Sequence, residues 1–96
     1  MDFEWDARKA ELNRKRHGVS FDEAKEPFTR GVEYLEIYDA EHSDDEDRFI
    51  AIGPAQRGVI VVVYTARQAD AIRIISARFA TRSETRLFRR HTGEKE

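Results

Sequence analysis

Cysteine is absent from the 96 residues, so the chain can form neither a disulfide framework nor a thiolate metal site, which favours a reducing cytoplasm. Histidine is scarce. His17, His42 and His91 stand apart, and no His-Glu-x-x-His or similar spacing brings two ligands to one face, so no metal site is expected. Phosphate-cradling glycine motifs are missing, and no serine sits in a Gly-x-Ser-x-Gly elbow, which leaves covalent hydrolase chemistry without support. No apolar run approaches membrane-spanning length, and the opening Met-Asp-Phe-Glu-Trp-Asp is charged where a signal peptide needs an apolar core. A soluble, intracellular, single-domain protein is the expectation: residues 1–92 as the domain, 93–96 as a frayed tail.

What is plentiful is charge, and it is unevenly placed. The formal net charge is only -2. Yet residues 31–50 carry eight acids against Arg48 alone, whereas residues 51–92 carry eight arginines against Asp70 and Glu84. An acidic flank beside an arginine flank suggests one surface for a basic partner and another for phosphates, although solvated faces of a highly charged domain would look the same.

The periodicity predicts an α+β fold in the order ααββββα. Asp6 N-caps a helix that His17-Gly18 ends, and Ser20-x-x-Glu23 opens a short second helix limited by Pro27 and Gly31. Phe3, Trp5, Leu12, Val19, Phe21, Ala24 and Phe28 are the expected apolar contacts of these helices. From Val32 the period changes to two, giving a strand to Asp39 on which Tyr34 and Tyr38 share a face. An acidic loop, a strand from Arg48 to Gly53, a β-branched central strand from Val59 to Thr65 and a strand from Ala71 to Phe79 follow. Thr81-x-x-Glu84 is a capping box for a closing helix from Arg82 to about His91. Four strands joined by short loops predict an antiparallel meander with helices packed on it.

Arginines with a few acids and imidazoles suit phosphate recognition, and they suit phosphodiester cleavage by an internal 2'-hydroxyl. A base takes the hydroxyl proton, guanidinium groups stabilise the charge on phosphorus, and an acid protonates the leaving oxygen. Register decides which arginines can cooperate. If Gln68-Ala69-Asp70 is a three-residue loop, Arg67 faces Ala71, Thr65 faces Arg73 and Ile60 faces Arg78. Arg67 and Arg73 then share a sheet face and Arg78 lies on the other. Each strand-end arginine could equally be a surface ion-pair partner, Arg57 especially. His17 could serve as a helix C-cap, and His42 lies among carboxylates that favour its charged form.

Four blocks of the chain resemble the BrnT family, the toxin half of bacterial toxin-antitoxin pairs. They are Phe3-Glu4-Trp5-Asp6 with Lys9 and Asn13; His17-Gly18-Val19-Ser20-Phe21 with Ala24; Asp39, His42-Ser43, Glu46, Arg48 and Gly53; and Arg67, Arg73-Ile74-Ile75-Ser76-Ala77-Arg78, Ala80 and Glu84. The resemblance implies a RelE-like fold, metal-free RNA cleavage without a cofactor, and inhibition by a BrnA antitoxin carrying a ribbon-helix-helix domain, through which operator DNA would be reached. The catalytic candidates are Arg67, Arg78, His17 and Glu46, with Arg48, Arg73, Arg16 and Lys15 as RNA contacts. Two positions depart from the family's pattern: Arg16 stands where a lysine is usual, and Phe88 where a tyrosine is common. They sustain the alternatives of a catalytically inactive module working only in an antitoxin-containing repressor complex, or of a simple nucleic-acid-binding domain.

Overall fold

A computed structural model describes residues 1–93; the rest of the expected tail, residues 94–96, lies outside the described residues. The chain forms β1 (Asp2–Glu4), α1 (Ala7–His17), α2 (Phe21–Ala24), α3 (Glu26–Thr29), β2 (Leu35–Tyr38), β3 (Arg48–Ala55), β4 (Gly58–Arg67), β5 (Ala71–Phe79) and α4 (Arg82–His91), with a 3-10 turn at Ala40–His42. Five strands, not four, make one sheet in the order β1-β5-β4-β3-β2. The missed strand, β1, is three residues long, too short for a period to show, and it pairs in parallel with β5. The predicted meander β2 to β5 is antiparallel throughout, with β4 at its centre.

Of the two expected capping boxes, the one at Thr81 closes fully, whereas at Ser20 only the hydroxyl half forms, because the Glu23 carboxylate is taken by Arg57. Ser20 Oγ accepts the Glu23 amide, and Thr81 and Glu84 each accept the other's backbone N–H. The expected second helix is two short ones, because Pro27 lies at the start of α3 and breaks the continuity with α2. Strand β2 begins at Leu35, not Val32, because Tyr34 is drawn off the ladder against Phe28, ring centroids 5.1 Å apart. Tyr34 thus lies just ahead of the strand, yet on the side of the sheet it shares with Tyr38, which faces Phe49 of the same cluster.

Alternation splits the sheet into two faces. One carries Ile60, Val62, Tyr64, Ile72, Ile74 and Ala77 and is covered by Val19, Phe21 and Ala24, with Phe3, Trp5 and Phe28 packed at its margin. The other carries Ile52 and Val61, on which Phe88 of α4 sits. Leu12, expected inside, is 52% exposed. Helix α1 instead holds the sheet through Asn13, whose amide Nδ2 donates to the carbonyls of Val19 (2.9 Å) and Ala77 (2.8 Å) while its Oδ1 accepts the Ala77 N–H (3.0 Å). Beyond Glu4 the outer edge of β5 has no strand beside it, and this buried amide satisfies it.

Candidate functional site

The β4–β5 hairpin turns through Gln68-Ala69-Asp70, with Arg67 opposite Ala71 and Thr65 opposite Arg73, as the three-residue loop requires. Ala69 and Asp70 both adopt left-handed backbone, φ 55° and 57°. Farther along, the ladder shifts. Tyr64 faces Ile74 but Val63 faces Ser76, so Ile75 is an extra residue on β5, a β-bulge. Ile60 consequently faces Phe79, and Arg78 faces Val61. The expectation that Arg78 points to the opposite face is overturned: because the bulge absorbs one residue, Arg78 shares the face of Val61, Thr65 and Arg67. Arg48, opposite Thr65 on β3, is on that face too. Four arginines from three adjacent strands thus stand on one side of the sheet.

Carboxylates hold three of them. Glu84 grips Arg78 with two parallel bonds, Nη1 to Oε1 at 2.7 Å and Nη2 to Oε2 at 2.8 Å, and takes the Thr81 amide at 2.9 Å. Those Arg78 bonds, more than any other cause, hold the Glu84 carboxyl down to about 2, and they raise the Arg78 guanidinium in turn. The start of α4 therefore aims Arg78. Arg67 donates through Nε to Glu4 Oε1 at 3.2 Å and through Nη1 to Glu46 at 3.0 Å, and Arg73 reaches the same Glu4 oxygen at 3.4 Å. Among the described residues Arg48 has no carboxylate partner, and its buried Nε lacks any hydrogen bond. The hydroxyl of Thr65, fully buried across the strand from it, is also without a partner.

The remaining candidates separate. Arg16 and His17 line a groove of about 160 Å³ with Lys9, Leu12, Ile75 and Ser76, where α1 meets the bulge. Ser76 lies on the arginine face, so this basic groove adjoins it. Lys15 points away, 4.0 Å from Glu11 and 67% exposed. His42 pairs with Asp39 at 2.9 Å in the acidic loop. Arg57 bonds Glu23 twice and the Gly18 carbonyl, an ion pair joining the β3–β4 turn to α2. Phe88 is a buried core residue with no hydroxyl to offer.

Sequence reasoning missed Glu4, Glu84 and Thr65 as members of this face. Glu84 is visible as a capping residue, but its second role depends on the bulge. Glu4 reaches Arg67 only because β1 pairs with β5, and Thr65 is known by a partner it lacks.

A sequence profile described as the ribonuclease toxin BrnT of type II toxin-antitoxin systems matches residues 5–84. The fold is similar to that of the Brucella abortus ribonuclease toxin BrnT in its 1.1 Å crystal structure, with a TM-score of 0.63 and 24% identity over 85% of this chain and 99% of that one. No curated protein sequence matches the chain significantly. The profile spans the four face arginines, from Trp5 just after β1 to Glu84, and on that match the chain belongs to the BrnT family of type II toxin-antitoxin ribonuclease toxins.

Proposed function

We propose that the chain cleaves RNA internally by attack of the 2'-hydroxyl on the adjacent phosphorus, with no metal ion taking part, on the arginine face of the sheet. The observation that carries this reading is the bulge at Ile75, which sets Arg78 on the same face as Arg67 and Arg73 rather than behind them. Guanidinium groups supply the charge that the pentavalent phosphorus demands, and Glu84 fixes one of them in advance. Arg67 and Arg78 are the phosphate or transition-state contacts, and because they stand roughly 20 Å apart along the strands they engage different phosphates of one RNA strand; Arg73 and Arg48 hold the backbone between them, and Arg16 and His17 receive it along the α1 groove. Glu46 and His17 are the proton-transfer candidates. Lys15 has no part at the face.

A BrnA-type ribbon-helix-helix antitoxin neutralises the enzyme in the cytoplasm, meeting the acidic stretch of residues 33–47, and links it to operator DNA. The second reading, a catalytically inactive module within such a repressor complex, is favoured by Phe88, buried where relatives often carry a phenol.

Inducing the chain alone in a bacterial host, with growth and total RNA followed, tests the proposal. Wild type should arrest growth and degrade RNA, and purified protein should do so in EDTA. Arg78→Ala and Arg67→Ala should remain folded yet lose cleavage by 100-fold or more, about 3 kcal/mol of transition-state stabilisation. Normal growth with intact RNA in a strain making soluble wild type would favour the repressor module.

A further inference from the structure

Thr65 is a misfit where it stands. Its side chain is fully buried and its hydroxyl has no hydrogen-bond partner, in a class of group that proteins nearly always satisfy. Directly opposite, Arg48 Nε is likewise buried and unpartnered. Two orphaned donors on neighbouring strands share one face, with Arg73 on the far side of Thr65 and Arg67 two residues along β4. A buried hydroxyl with an arginine opposite it on each neighbouring strand and a third two residues along its own is a donor set for an anion.

A carboxylate already marks where anionic oxygen fits. Glu4 Oε1 lies 3.2 Å from Arg67 Nε and 3.4 Å from Arg73 Nη1, bridging both with a single atom. Glu46 takes another Arg67 donor at 3.0 Å. Both acids are about half exposed at the side chain, so either can swing into water. Arg78 is different, since Glu84 grips it with both oxygens and is itself tied to the helix cap.

We infer that Thr65 Oγ1 and Arg48 Nε, with Arg73, form a second phosphate subsite, occupied by an RNA backbone phosphate next to the scissile one. Glu4 is its placeholder in the free protein. The inference rests on the ribonuclease reading for the identity of the anion. Binding displaces the Glu4 carboxylate from Arg67 and Arg73, and the phosphate supplies the oxygens that the two orphans lack.

This assignment makes two quantities move in opposite directions. Thr65→Val keeps shape and removes the hydroxyl. The free protein should melt at a higher temperature, because an unsatisfied buried hydroxyl is replaced by a methyl group. Affinity for a short single-stranded RNA made uncleavable by 2'-O-methyl groups should fall about tenfold. Thr65→Ser should restore binding, and Glu4→Gln should tighten it by removing the competing charge. Inorganic phosphate should compete with the oligonucleotide on wild type and less on Thr65→Val.

A lower melting temperature with unchanged affinity would make Thr65 merely structural and overturn the subsite, as would weaker binding by Glu4→Gln or no binding by wild type. The two proposals fail separately. Wild type that binds the oligonucleotide through Thr65 but leaves unmodified RNA intact removes the cleavage reading and keeps the subsite. Equal cleavage and binding by wild type and Thr65→Val does the reverse.

Discussion

Glu84 serves two elements with one side chain, closing the capping box of α4 and fixing Arg78. Its carboxyl, held at about 2 against an ordinary 4.5, is ionised in the native protein at pH values where it would be protonated in the unfolded chain. The stability it contributes is therefore complete above about pH 4.5 and is lost as pH falls toward 2. Each pH unit of depression corresponds to about 1.4 kcal/mol, and solvent around the 42% exposed Arg78 side chain reduces the total to about 1–2 kcal/mol. Urea unfolding at a series of pH values should show this loss in wild type. Glu84→Gln should start about 1–2 kcal/mol lower at pH 7 and lose less between pH 4.5 and 2; parallel curves would assign the acid sensitivity to another group.

Helix α3 is seated by a missing side chain. A Cβ on Gly53 would come within 2.8 Å of Tyr34 Cβ and 2.9 Å of Pro27 Cβ, atoms too near their own backbones to yield. Gly53→Ala should cost about 1–3 kcal/mol by pushing α3 and the entry to β2 off the sheet, read as a lower urea midpoint. That glycine belongs to the blocks by which the family was recognisable, but its reason lies in packing between elements far apart in sequence. The same division runs through the fold. The helix caps, the hairpin loop and the β-branched centre were legible because they are local. The short β1, the split after α2 and the extra residue at Ile75 were not, since each is decided by contacts across the sheet. At the site, residue types were legible and their common face was not: a strict period of two separates Arg73 from Arg78, and only the bulge reunites them.

The acidic and arginine flanks meet where Glu46 pairs with Arg67. Part of the acidic stretch is engaged internally. Glu36 accepts the Tyr64 hydroxyl, whose ionisation is pushed up first by burial and then by that carboxylate, and Asp47 accepts the Tyr38 hydroxyl at 2.9 Å. Asp44 and Asp45 line a groove with Glu41, His42 and Arg48 and make no ion pair among the described residues. If the proposed antitoxin surface is right, these are among the charges that would attract a basic partner. Reversing Asp44, Asp45 and Asp47 to lysine should weaken the complex about tenfold or more, mainly through slower association at low salt. Titration calorimetry and stopped-flow mixing would measure it, and unchanged affinity would move the antitoxin surface elsewhere.

The bulge also makes the gene unevenly tolerant of length changes. Losing the codon for Ile75 would leave Arg73 and Arg78 four apart on a regular ladder, still on the same side, at the expense of the groove beneath α1. Gaining a codon between Ser76 and Arg78 would turn that guanidinium toward the layer under the first helices and bring Phe79 onto the arginine face one step farther along. In a lineage carrying this hairpin, deletions at the bulge keep the shared arginine face, and insertions beside it are a route to losing that face while the protein still folds.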